Sequence, residues 1–79
     1  MPVSSRISRV LALAAIMQAE RHGLQAAEWN KLLAERWCEV SEMTTRRDLC
    51  ELVDATVVSV ERHGGVNLYR WLQWPMPLN

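Results

Sequence analysis

Residues Val40 to Leu49 read Val-Ser-Glu-Met-Thr-Thr-Arg-Arg-Asp-Leu. Ser41 has the side chain of a helix N-cap, because a short hydroxyl can accept a hydrogen bond from an amide that the first helical turn leaves unpaired. A helix that opens there and runs over about 42–53 turns Thr45, Leu49, Leu52 and Val53 to one side, at the spacing of a buried face. Glu42, Met43, Thr44, Arg46 and Arg47 then point the other way. A short, capped helix with outward arginines fits the DNA major groove, where a guanidinium can donate two hydrogen bonds to guanine and a Thr methyl can meet that of thymine. The positive end of the helix dipole favours nearby phosphates. The same two arginines could also form a solvated face, ion-paired to acids such as Glu42 and Glu51.

Upstream, Ile7, Val10, Leu11, Ala14 and Met17 recur at helical spacing, widened by Leu13 and Ile16, which predicts a helix over about 5–21. Ser4 or Ser5 would cap its start, and His22-Gly23 would stop it through a left-handed glycine. A second helix over about 26–37 places Trp29, Leu32, Leu33 and Trp37 on one inward face. Cys38-Glu39-Val40 is a brief connection. After Asp54 the β-branched run Thr56 to Val60, the turn Glu61-Arg-His-Gly-Gly65 and the run Val66 to Trp74 predict a hairpin over about 56–74, stopped by Pro75 and Pro77. Two isolated strands do not survive in water, so the hairpin must pack on the helices. Three helices followed by a hairpin is the winged helix-turn-helix order, mainly α with a β-hairpin, in one domain spanning 1–79.

The segment from Val40 to Leu49 resembles the recognition-helix signature of DeoR-type winged-helix repressors, V-S-x-x-T-I-R-R-D-L. Leu52, Val57-Val58 and Arg62-His63-Gly64-Gly65 stand where that family has an acidic segment, a strand and a wing with His-Gly-Gly. The resemblance implies that Ser41, Thr44, Arg46 and Arg47 face DNA, that Val40, Thr45 and Leu49 are core, and that Asp48 is structural. In the wing, Arg62, His63 and Arg70 become candidates for phosphate or minor-groove contact, with His63 gaining charge near pH 6.5. The sequence departs from the pattern in three places. Thr45 replaces an Ile or Val, Cys38-Glu39 lengthens the turn, and Val53-Asp-Ala-Thr56 lacks the Gly that precedes the first wing strand. The sugar-phosphate sensing domain that those repressors carry after the wing has no counterpart here, so no small-molecule effector is implied.

Seventy-nine residues support one core. With 49% hydrophobic residues, four Trp and only three Gly and three Pro, the composition excludes disorder. Nine basic and nine acidic residues exclude a protein that coats nucleic acid by charge alone. DNA contact must therefore come from local clusters: Arg6 with Arg9, Arg46 with Arg47, and Arg62 with Arg70. Cys38 and Cys50 read as reduced thiols in a cytosol, and with His22 and His63 they match no metal-ligand spacing, so no cofactor is expected. The segment Val10 to Met17 after two arginines could pass for a signal peptide, although cleavage near Ala19 would remove the first helix. No apolar run nears the ~20 residues that span a bilayer, so no membrane partner is expected. No nucleophile-base set or phosphate loop stands out, so catalysis is not expected.

The sequence therefore points to a DNA-binding regulator whose partner is double-stranded DNA. Its size would suit a phage or other mobile element. An architectural factor for recombination would use the same contacts, and a winged-helix protein-interaction module is the reading from another class. Trp74 could cap the core or form an apolar dimer patch, and the helix 1 stripe could serve a partner helix in a homodimer, since many such readers bind two half-sites.

Overall fold

A computed structural model describes residues 6–72. Its elements are α1 (Arg6–Ala19), α2 (Ala26–Arg36), α3 (Glu42–Asp54), β1 (Val58–His63) and β2 (Val66–Trp71). The predicted caps Ser4 and Ser5, and the predicted strand end with Trp74, Pro75 and Pro77, lie outside the described residues. Three helices carry a two-stranded antiparallel hairpin, so the architecture is a winged helix-turn-helix.

The core is built by all five elements. Leu13 and Met17 from α1, Trp29 and Leu33 from α2, Leu49 from α3 and Val58 from β1 are fully buried, and Tyr69 from β2 closes it. In α1 the inward residues are Leu13, Ala14, Ile16 and Met17. The face is therefore rotated from the expected one, leaving Ile7 and Leu11 in solvent. Trp37 is also corrected: it stands at the C-cap of α2, with φ −137° and ψ −77°, and is 37% exposed. Leaving the helical path there takes it off the face that buries Trp29 and Leu33.

Gly23 differs from expectation as well. α1 ends at Ala19, and Gly23 is not among the left-handed residues. Leu24 instead makes a one-residue bridge to the wing, with Leu24 N–H donating to Tyr69 O (3.2 Å) and Tyr69 N–H donating to Leu24 O (2.8 Å). A Cβ on Gly23 would sit 3.4 Å from Leu68 Cβ, an ordinary contact, so Gly23 lies beside the second wing strand with neither a left-handed backbone nor a crowded site that calls for glycine. The buried Trp29 Nε1 donates to the same Tyr69 O (2.9 Å), which fastens the wing to α2.

At the wing tip His63 pairs with Val66 across Gly64 (φ 58°) and Gly65 (φ 88°). Two successive left-handed residues make the two-residue turn whose twist matches a hairpin, and glycine takes it without steric cost.

The end of α3 explains one departure from the family pattern. Val57 N–H donates to Leu52 O (3.1 Å) and Thr56 N–H to Val53 O (2.9 Å), the paired bonds of a Schellman cap. Thr56 occupies its left-handed position with φ 63°. This is where the first wing strand is normally preceded by glycine, and a β-branched residue is strained there. Thr56→Gly is expected to stabilise the domain by about 1 kcal/mol, the released strain outweighing glycine's entropy. That is a rise of about 4–8 °C in Tm for a domain of this size, read by thermal denaturation. A fall in Tm would refute strain at this site.

Candidate nucleic-acid interface

The start of α3 is over-determined. Ser41 is its N-cap (φ −70°, ψ 154°), and its Oγ accepts from Thr44 N–H at 3.1 Å while lying 2.9 Å from Thr44 Oγ1. From α2, the Asn30 side-chain amide donates to Val40 O (2.9 Å) and to Thr45 Oγ1 (2.8 Å). Thr45 is fully buried where the family has an aliphatic residue, and Asn30 supplies the partner that its hydroxyl needs. One carboxamide thus ties the turn and the first turn of α3 to α2.

The middle of α3 is held from the other side. Asp48 is buried and takes a two-pronged contact from Arg9 of α1, with Nε to Oδ2 at 2.5 Å and Nη2 to Oδ1 at 3.0 Å. The hydrogen bonds that Arg9 donates to Asp48, with the Asp48 charge and against a lowering by burial, raise the Arg9 pKa above its ordinary value. Asp48 is structural, as the resemblance implied. One turn on, Arg6 pairs with Glu51. Arg6 and Arg9, one of the three basic clusters, are therefore engaged within the protein.

Of the residues expected to face outward from α3, Glu42, Met43, Arg46 and Arg47 are exposed, and Thr44 is half-buried with its hydroxyl against Ser41. Arg46 Nη2 bonds Glu42 at 2.8 Å, one turn back along the helix. Arg47 makes no hydrogen bond or ion pair among the described residues. The helix therefore presents one arginine held in place and one free, while Glu51, a candidate partner for these arginines, is taken by Arg6.

The hairpin does not gather its three candidates. Cross-strand pairing puts Arg62 opposite Asn67, on the face that carries Val58 and Tyr69. His63 and Arg70 fall on the opposite face with Glu61. There His63 Nε2 lies 3.1 Å from Glu61. That hydrogen bond, then the His63 and Arg70 charges, hold the Glu61 carboxyl below the usual range. Arg62 is exposed and makes no hydrogen bond or ion pair among the described residues. Between wing and helices lies a cleft of about 300 Å3, lined by Gln25, Ala26, Glu42, Arg46, Gly65 and Asn67 among others.

Asn30 escaped the sequence reading, and Arg9 entered it only as half of a basic cluster, not as the partner of Asp48. Their partners lie 10 to 39 residues away, beyond the range of a periodicity pattern. A buried Thr in place of an aliphatic residue was the only local sign that a polar partner was needed.

A comparison with curated proteins gives no match. The family model of the DeoR-like helix-turn-helix domain matches residues 31–70, from mid-α2 through α3 and nearly all of the hairpin. With the winged helix-turn-helix architecture and half of its length matched, the chain belongs to the DeoR-like helix-turn-helix domains, a DNA-binding family.

Proposed function

We propose that the protein is a sequence-specific, duplex-DNA-binding transcriptional regulator that acts in the cytoplasm by occupying its site and not by catalysis. α3 enters the major groove, with Met43, Arg46 and Arg47 toward base edges and backbone, and one DNA strand follows the cleft between α3 and the wing. The observation that carries this reading is the capped, doubly anchored α3 with Arg46 aligned and Arg47 free on its open side. Glu42 ties Arg46 one turn back along the helix through an exposed pair; exchanging that partner for guanine gives two-point donation, and the Glu42 carboxylate can accept from cytosine. Arg47 and, from the wing, Arg62 suit phosphate contact.

Selection of bound duplexes from a random pool is expected to yield a defined motif. Arg46→Ala should lower affinity by about 1–3 kcal/mol, roughly 5–150-fold, and relax preference at one base pair. Arg47→Ala should weaken all sequences alike and reduce the salt slope by about one unit. Both arginines are exposed, so thermal stability should hardly move. Unchanged affinity in both variants would remove α3 from the interface. Because the chain has no net charge, a protein-docking role is the competing use of the same scaffold. Failure to bind any duplex even at low salt would decide for that role. DNA bending on binding would mark the architectural variant of the proposal.

A further inference from the structure

α1 carries more apolar surface than the core uses. Leu13, Ala14, Ile16 and Met17 face inward, while Ile7 and Leu11 are 71% and 64% exposed. With the exposed Ala15 they form a stripe at successive four-residue steps along one helix face. Beside it runs an open groove of about 320 Å3 lined by Arg6, Ile7, Val10, Leu11 and Glu51. Single exposed apolar residues are ordinary on a protein surface. Two large ones a turn apart, over an apolar groove, make a continuous patch.

We infer that this stripe is a self-association surface whose occupant is α1 of a second copy, seated antiparallel about Leu11. Side-chain size supports a copy of the same chain. Large Ile7 and small Ala15 flank Leu11 at equal distances, so a two-fold axis at Leu11 lays each Ile7 over the Ala15 of the other copy. Charge supports it too. The rim bears one cation, Arg6, and one anion, Glu51, already paired and both partly exposed. A two-fold brings such a neutral rim against itself without like-charge conflict, whereas a strongly basic or acidic partner would call for a rim of one sign. The area is small. The patch is the Ile7, Leu11 and Ala15 stripe of one 14-residue helix about 21 Å long, far fewer than the roughly 20–30 residues a side of a standard stable interface. Association is therefore weak, with a dissociation constant on the order of 0.1 mM. The groove contains none of Met43, Arg46 and Arg47, so pairing leaves the reading side of α3 open.

Sedimentation equilibrium of the full chain without DNA tests this independently of the DNA-binding reading. From about 10 µM to 1 mM, spanning the expected constant, the wild-type mass should climb from 9.1 kDa toward twice that value. Leu11→Lys should stay at the monomer mass, with an unchanged circular dichroism spectrum. In a C38S/C50S background, L11C should form a disulfide between copies. I7C should not, whereas a mixture of I7C and A15C chains should cross-link to each other. A wild type that stays monomeric to 1 mM would overturn the inference and leave the groove to another partner. So would a Leu11→Lys variant that associates normally, or I7C chains that cross-link as readily as L11C.

Discussion

Asp48→Ala is expected to destabilise the domain by about 3–5 kcal/mol, because it strands the Arg9 guanidinium in a largely buried site. The Asp48 side chain is 1% exposed and that of Arg9 18%, so water replaces the lost carboxylate only in part. An exposed ion pair would contribute about 0–1 kcal/mol. The two magnitudes separate the alternatives cleanly in a denaturant titration. With a urea m-value of about 1 kcal/mol/M or slightly more for so small a domain, the midpoint should fall by about 2–4 M. Total stability for 79 residues is about 4–12 kcal/mol, so the variant should be partly unfolded at the lower end. Arg9→Met alone leaves a buried carboxylate unpaired and should cost a similar amount. Joined as Arg9→Met with Asp48→Leu, the pair should recover most of the loss, since an apolar replacement of a buried ion pair is often neutral. Additive losses in the double variant would show that the two residues act separately. The consequence for function is one of orientation. Asp48 follows Arg46 and Arg47 directly, so the Arg9 contact from α1 sets the rotation of α3 that turns those two arginines outward.

That contact also explains which parts of the fold were legible in the sequence. α3 and the wing turn announce themselves locally, through Ser41 as a cap and Gly64-Gly65 as a left-handed pair, and both stand as expected. α1 does not. In Val10-Leu-Ala-Leu-Ala-Ala-Ile-Met17 two neighbouring stripes are almost equally apolar, so periodicity proves a helix without choosing its inward side. In the fold Leu13, Ile16 and Met17 take the core side, Arg9 on that side reaches Asp48, and Ile7 and Leu11 are left in solvent. Gly23 misled for the opposite reason. A glycine after a helix usually terminates it, yet here α1 ends at Ala19 and Gly23 lies further on, beside the second wing strand, without a left-handed backbone. Thr56 shows the limit of a pattern match: the glycine is missing but the left-handed geometry is kept. At the interface, the exposure of Met43, Arg46 and Arg47 was readable from helix phase. That Arg6 and Arg9 would be withdrawn into ion pairs was not, since only the folded chain brings Asp48 and Glu51 to them.

Trp29→Ala is expected to cost about 3–5 kcal/mol, enough to unfold much of the population at 37 °C, because it removes the largest fully buried side chain. Trp29→Phe separates packing from anchorage. The ring is largely replaced, but the Nε1 donor to Tyr69 O is gone. Tyr69 O still accepts from Leu24 N–H, so no buried acceptor is orphaned and the hydrogen-bond part should be only about 1 kcal/mol. With the lost ring volume, the total should be about 1–2 kcal/mol, a Tm drop of roughly 4–15 °C. The loss should also be uneven. Trp29 is the indole that binds the wing to α2, so hydrogen exchange should quicken at Tyr69 and Leu24 more than at Leu49 in the Phe variant. Uniform acceleration would make Trp29 a packing residue alone and leave the wing held by the Leu24 bridge and its own core side chains. Selective loosening would mean that the wing's position beside α3 depends on a single indole donor. In that case Trp29→Phe should also weaken duplex binding while leaving α3, with Arg46 and Arg47, intact.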